Sequence, residues 1–174
     1  MPSYIEQSKA NVAYIDKHRE LVQEMFNQYG DKLCKALSID KKRLYKQVQI
    51  HDDSKYGASE LEGYRLHFYR SDDDTLSEDE AKAKFDEAWM HHVQNNPHHP
   101  EFWIYKTDDG KIAAYPMPRT FIAEMLLDWA AVGTMFNEDP IVYHYWTEGT
   151  GKKKPFNPET FELVDSVINL IFKP

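Results

Sequence analysis

Apolar residues recur at helical spacing along most of this 174-residue chain, and this periodicity constrains its fold more than any other feature. Capping and stop signals mark the helices. They predict a first helix from Ser3 to Gly30, a second capped by Ser38, a third from about Ser59, a fourth opened by a capping box at Ser77, a fifth from Pro118 or Thr120 and a last one capped by Asn157. We therefore predict an all-α bundle of about six helices.

The helical period is lost in one stretch, roughly residues 101–116. Two runs rich in aromatic and β-branched residues flank the dipeptide Asp109-Gly110 there, which is a strong β-hairpin signal. We expect a small β-hairpin inserted in the helical protein. The segment Tyr143–Trp146 is predicted to lie in a loop. No repeat or linker divides the sequence, which predicts a single domain over residues 1–174.

Composition excludes several classes of function. The formal net charge of −8 argues against binding of a nucleic-acid polymer, for which a basic surface dominates the affinity. The single cysteine, Cys34, excludes an intrachain disulfide and a cysteine-rich zinc site. The N-terminal residues are polar, and no apolar run approaches membrane-spanning length. We expect a cytoplasmic protein with no membrane partner that acts on a small anionic substrate; a homo-oligomer is compatible with the sequence.

Four helical segments each direct a metal-ligand type of side chain inward. His18 lies on the apolar stripe of the first helix, and His51 ends the stripe of the second. Asp52 follows His51 directly, so one imidazole and one carboxylate are adjacent in the chain. His92 extends the stripe of the fourth helix, and Asp128 lies within the stripe of the fifth. A histidine nitrogen and a carboxylate oxygen together suit Zn, Mn, Fe or Co.

Each of these residues alone has an ordinary explanation, because a buried histidine is commonly a hydrogen-bonded core residue. Their joint occurrence favours a metal site, since a core that buries several histidines and carboxylates must neutralise them. His98 and His99 add two candidate ligands just after the fourth helix, and the spacing does not choose between them. Periodicity favours His92 over His91, and we place His91 and His144 outside the set of ligands.

The order of these residues resembles the HD-domain superfamily of metal-dependent hydrolases. In that superfamily a helical core holds a metal ion through a histidine, an adjacent His-Asp pair and a distant aspartate. The resemblance implies His18, His51, Asp52 and Asp128 as the minimal set. Members with two metal ions have further histidines between the pair and the last aspartate, which is where His92 and His98 or His99 lie.

A narrower pattern covers most of the chain. The motifs HDxSK, HxxxNxHHPE and EMxxDW are similar to those of a domain family of bacteria and their phages. They are formed here by residues 51–55, 92–101 and 124–129. This resemblance implies a fold and a site but no substrate. The hairpin between His99 and Asp128 is an addition to the minimal HD fold.

The resemblance implies a metal-dependent phosphohydrolase with one or two divalent ions (Mn, Fe, Co, Ni, Zn or Mg), acting on a nucleotide or another small phosphorylated metabolite. Among the surrounding residues, Glu60 and Glu124 are candidates for a general base or for groups that orient the ligands. Lys55 is also a candidate catalytic residue, since it lies one helical turn from Asp52 and could bind phosphate or hold the carboxylates. The other candidate phosphate-binding cations are Arg65 and Arg119, and surface ion pairing is the alternative role for the two arginines.

Two other functions are compatible with the sequence. The superfamily includes diiron oxygenases that have a similar set of histidines and a lysine at the spacing of Lys55 from the His-Asp pair. The other alternative is a non-enzymatic protein that binds and sequesters a nucleotide or uses its metal ion structurally. It predicts a closed metal coordination shell, whereas the surplus of histidines favours an open one.

Overall fold

The computed structural model describes residues 3–71, 74–136 and 141–174, with the backbone alone described at residue 141. These residues form seven α-helices and one two-stranded antiparallel sheet. In chain order the elements are α1 (Tyr4–Leu37), α2 (Lys41–Gln49), α3 (Ala58–Phe68), α4 (Glu78–Asn95), β1 (Ile104–Lys106), β2 (Ile112–Ala114), α5 (Arg119–Met135), α6 (Ile141–Thr147) and α7 (Pro158–Ile171). The prediction of a helical fold with a small hairpin is confirmed.

The chain divides into two compact units. The first unit contains Met1–Arg19 and Asp52–Asn96, and the second contains Glu20–His51 and Pro97–Pro174. Helix α1 therefore begins in the first unit and ends in the second. The prediction of a single domain stays a prediction. Every helix in the described part of the chain is too short or too polar to span a lipid bilayer.

In the first unit, α3 and α4 pack closely against each other. Gly63 makes this approach possible, because a Cβ atom there would lie 2.5 Å from both the Ala88 Cβ and the Lys84 carbonyl oxygen. Helix α4 begins with the predicted capping box, in which Ser77 accepts from the Glu80 amide and the Glu80 carboxylate accepts from the Ser77 amide. Together these features set the position of α4, which carries His92.

The apolar core of the second unit surrounds α5. Its sequence is apolar on nearly all sides, which is the pattern of a helix buried in a core, and Ile122, Met125 and Leu126 are fully buried. Helix α7 contributes Val164 and Ile168 to the same core. The two acidic residues of this buried helix are Glu124 and Asp128, so the fold places carboxylates where water is largely excluded.

The first two helix boundaries differ from the prediction. Helix α1 continues through Gly30 to Leu37, because burial of the apolar residues beyond the glycine outweighs its weak helix propensity. Ser38, predicted to cap α2, instead ends α1 in a left-handed conformation with φ 53°. Asp40 caps α2 and accepts from the Arg43 amide at 2.8 Å. His51 lies just beyond the end of α2 and is nevertheless buried.

The prediction of a loop at Tyr143–Trp146 is wrong, because these residues belong to α6. Val142 and Trp146 lie four residues apart, so both reach the same side of the helix, and both are buried in the core of the second unit.

The hairpin is as predicted: Tyr105 pairs with Ala113, and Gly110 adopts φ 83° in the turn. That conformation suits glycine because it has no Cβ atom.

Candidate metal-binding clusters

Asp52 occupies an unusual backbone position in the first unit. Its φ of 58° and ψ of 19° are left-handed, a conformation that aspartate tolerates better than most residues. A short 3₁₀ turn, Asp53–Tyr56, follows it, and the Lys55 amide donates to the Asp52 carbonyl at 3.0 Å. The turn also brings the Lys55 ammonium to 2.6 Å from Asp52 Oδ2. The backbone thus directs a buried carboxylate into the unit and gives it a cation.

Two histidines from separate helices approach this carboxylate. His18 Nε2 on α1 lies 3.4 Å from Asp52 Oδ2, and His92 Nε2 on α4 lies 3.4 Å from Asp52 Oδ1. All three side chains are buried, with at most 3% of their surface exposed. We refer to His18, Asp52, Lys55, Glu60 and His92 as the first cluster.

Glu60 on α3 holds the other side of the His92 ring. Its Oε2 lies 2.9 Å from His92 Nδ1, and its Oε1 lies 2.7 Å from Nδ1 of the half-exposed His91. Burial raises the pKa of Glu60, but hydrogen bonds from His92, His91 and Ser54 outweigh this effect and leave the pKa below its ordinary value. Burial lowers the pKa of His92 more than Glu60 and Asp52 raise it. An ionised Glu60 and a neutral His92 follow from these shifts.

A similar arrangement occurs in the second unit. His51 Nδ1 lies 2.9 Å from Glu124 Oε1, and His51 Nε2 lies 3.7 Å from Asp128 Oδ1. His98 Nδ1 lies 3.4 Å from the same Glu124 oxygen, and the His51 and His98 ring centroids are 4.3 Å apart. We refer to His51, His98, Glu124 and Asp128 as the second cluster.

His98 and His99, which the sequence could not distinguish, lie in different surroundings. His98 is buried, whereas His99 is half-buried and precedes the 3₁₀ turn Pro100–Trp103. The two rings are 4.3 Å apart. This placement favours His98 as the ligand.

Glu124 is held as an ionised acceptor. Burial raises its pKa, but hydrogen bonds from His51 and His98 outweigh this effect and lower the pKa to about 2. Its second oxygen, Oε2, accepts from Gln47 Nε2 at 2.6 Å. An ionised carboxylate can only accept hydrogen bonds, so each imidazole donates from Nδ1. In the neutral ring the proton is then on Nδ1, and Nε2 is the nitrogen that would coordinate a metal ion.

The same hydrogen-bonding arrangement therefore occurs in both units. A buried glutamate engages Nδ1 of two histidines, and a histidine Nε2 faces an aspartate oxygen. Carboxylate partners of this kind orient the imidazole ligands of metal ions in proteins. The structure thus contains buried His, Asp and Glu groups that could hold a metal ion. The engagement of both glutamates by imidazoles favours the orienting role over that of a general base.

Comparison with known proteins gives a family. The chain belongs to the family of unknown function DUF5662, whose model matches residues 7–170. No curated protein and no solved structure matches the chain. The resemblance to the HD-domain superfamily stays a prediction.

In this member of the family the two predicted phosphate-binding arginines have structural partners. Arg65 is buried and pairs with Glu62 at 2.8 Å and with Asp74 at 2.9 Å, and these hydrogen bonds raise its pKa above the usual range. Arg119 is exposed and donates to the Leu37 carbonyl at 3.1 Å, at the C-terminal end of α1. The Arg65 contacts are ion pairs, although they are buried and not at the surface, whereas the Arg119 contact is with a backbone carbonyl and was not anticipated.

Three polar residues near the clusters were missed from the sequence. Gln47 donates to Glu124, Ser54 hydrogen-bonds to Glu60, and Asn96 Nδ2 donates to Ser54 Oγ at 2.7 Å. Gln47 had one available signal, because it lies four residues before His51. Ser54 and Asn96 belong to the motif residues 51–55 and 92–101, so their contacts link two of the motifs within the first unit.

Proposed function

We propose that this protein is a metal-dependent phosphohydrolase acting on a nucleotide or another small phosphorylated metabolite. The observation that carries the proposal is the repeated arrangement in which Glu60 and Glu124 engage histidine Nδ1 atoms while Nε2 atoms face Asp52 and Asp128. A buried set of neutral nitrogens and anionic oxygens is costly without a cation, so a divalent ion suits it better than an empty core.

The candidate ligands fit one or two divalent ions. They are His18, Asp52 and His92 in the first unit, and His51, His98 and Asp128 in the second, with His99 as the alternative to His98. Imidazole and carboxylate donors without a thiolate suit Mn, Fe, Co, Ni or Zn. Mg is the least suitable of the candidate ions because it prefers oxygen ligands and retains water.

A divalent ion bound to these residues would polarise a phosphoryl oxygen and lower the pKa of a water molecule towards neutrality. Neighbouring side chains of the protein fix the positions of these candidate ligands. Glu60 and Glu124 fix the planes of the histidine rings, and Lys55 holds Asp52 through Oδ2. The Lys55 ammonium also contributes a positive charge that favours an anionic phosphate beside an otherwise acidic set of side chains.

An HD-type diiron oxygenase is the second candidate. Two observations favour it: the histidines outnumber those needed by a single ion, and the Lys55 ammonium lies beside the Asp52 carboxylate. Both chemistries need the same ligands, so the metal and the co-substrate distinguish them. Oxygen-dependent optical changes with two bound irons favour the oxygenase.

The test begins with metal analysis of protein purified without chelator, followed by a screen of phosphorylated metabolites for phosphate release. We expect Mn, Fe, Co, Ni or Zn in the protein and phosphate release that depends on the metal. Asp52→Asn should abolish the release. His144→Ala is the matched control, because His144 is an exposed histidine on α6. Phosphate release that is unchanged in Asp52→Asn would contradict the proposal.

A further inference from the structure

Gln47 lies behind the histidines of the second cluster. It is half-buried on α2, one helical turn before His51, and its Nε2 donates to Glu124 Oε2 at 2.6 Å. This short contact joins residues 77 positions apart in the chain. A neutral amide donor at this distance constrains the carboxylate without adding a charge.

As a result of this contact, the two carboxylate oxygens of Glu124 have different hydrogen-bonding partners. Oε1 faces Nδ1 of both His51 and His98, and Oε2 faces Gln47. Rotation of the carboxylate would break the amide hydrogen bond, which is costly for a group that is only 4% exposed. The Glu124 carboxylate therefore keeps the orientation in which Oε1 accepts from both imidazole rings.

The first unit has a related arrangement, in which Glu60 Oε1 faces His91 and Glu60 Oε2 faces His92. Glu60 engages His91 and His92 and also accepts from Ser54, while Asn96 Nδ2 donates to Ser54 Oγ at 2.7 Å. In both units a neutral polar side chain stands behind a glutamate that serves two histidines. A polar side chain thus supports the glutamate in both units, although the residues come from different elements. We interpret this as part of the metal-binding arrangement, in which Gln47 is more than a surface contact.

We propose that Gln47 is a positioning residue of the second cluster: it fixes Glu124 so that His51 and His98 both donate from Nδ1 and present Nε2 to a divalent metal ion. This inference rests on the metal-binding part of the proposed function. It does not depend on the substrate or on the reaction.

The experiment compares three variants by two measurements. Gln47→Met keeps the length of the side chain but cannot donate, Gln47→Lys retains a donor, and Gln28→Met makes the same change at an exposed residue of α1 that contacts Tyr29. The first measurement is the tautomer of His51 and His98 in metal-free protein, by nitrogen-15 NMR of the imidazole rings. The second is the affinity for Co²⁺, from its optical absorption.

We expect the native protein to hold both rings as the Nδ1–H tautomer. Gln47→Met should give a mixture of tautomers and bind Co²⁺ about tenfold more weakly, at the low end for loss of an outer hydrogen-bonding partner. Gln47→Lys should restore the Nδ1–H tautomers, because its ammonium also donates to Glu124, and Gln28→Met should match the native protein in both measurements.

Unchanged tautomers and unchanged Co²⁺ affinity in Gln47→Met would overturn the inference, even if the variant unfolds at a lower temperature, because that pattern is a structural role alone. The outcome is separable from the proposed hydrolase activity. A native protein that binds Co²⁺ but hydrolyses no phosphoester refutes the hydrolase and leaves the inference standing. A native protein that binds no Co²⁺ refutes both.

Discussion

The ion pair between Asp52 and Lys55 gives a quantitative test of the first cluster. The two groups are 2.6 Å apart, and their side chains are 1% and 13% exposed. Removing one partner of a buried pair costs roughly 3–5 kcal/mol, because an uncompensated charge remains. Partial exposure of Lys55 places the cost of Lys55→Met at the low end, about 3 kcal/mol of unfolding free energy. Asp52→Asn should cost a similar amount, and asparagine tolerates the left-handed backbone.

The double variant removes both charges, so its cost should be smaller than the sum of the single costs. We expect a coupling free energy of about 2 kcal/mol. The assay is urea denaturation of chelator-treated protein for the native chain, both single variants and the double variant. Lys82→Met with Asp86→Asn is the control cycle, because that pair is exposed and should couple by less than about 0.5 kcal/mol. If the double variant lost as much unfolding free energy as Asp52→Asn and Lys55→Met together, the two side chains would not be coupled, and this would refute the argument.

Three further predictions concern the first unit, and denaturation experiments check each of them. Gly63→Ala should lower the unfolding free energy by about 2 kcal/mol despite the better helix propensity, because the new Cβ atom meets Ala88 at 2.5 Å; an unchanged midpoint would contradict the close packing. Ser77→Ala should cost about 1 kcal/mol through loss of the capping box, and a cost near zero would mean that the cap is frayed in solution. The hydrogen bond from Arg65 lowers the pKa of Asp74 below 3.8. The ionised Asp74 therefore stabilises the fold above that pH, and this stabilisation is lost as the pH falls through the lowered pKa. Asp74→Asn should remove this part of the acid sensitivity, and an unchanged dependence of the unfolding free energy on pH would contradict the prediction.

Much of the fold was predictable because the deciding interactions are local. The Ser77 capping box involves residues three positions apart, and the Asp109-Gly110 turn involves neighbours. Periodicity likewise placed His18 and His92 on buried faces. The stop at Gly30 was wrong because burial of Leu37, a tertiary effect, decides where α1 ends.

The candidate site was predictable in its composition but not in its contacts. Inward spacing identified Asp128 as a candidate ligand, whereas nothing local indicates that Glu124 accepts from residues 73 and 77 positions away. The choice between His98 and His99 depends on the path of a non-helical segment, to which periodicity does not apply. The pairing of Arg65 with Glu62 is local, because the two residues lie three positions apart on α3, whereas its pairing with Asp74 depends on the path of the chain after α3.

The most direct test of the central claim is the metal content of His51→Ala and Asp128→Ala, measured by elemental analysis after purification without chelator. His144→Ala serves as the control. Both cluster residues are buried with their partners in the second unit, whereas His144 is exposed. We predict that the native protein and His144→Ala contain one or two equivalents of a divalent transition metal and that both cluster variants lose the equivalent held by the second cluster. Metal content in the cluster variants equal to that of the native protein, or a native protein without metal, would contradict the account.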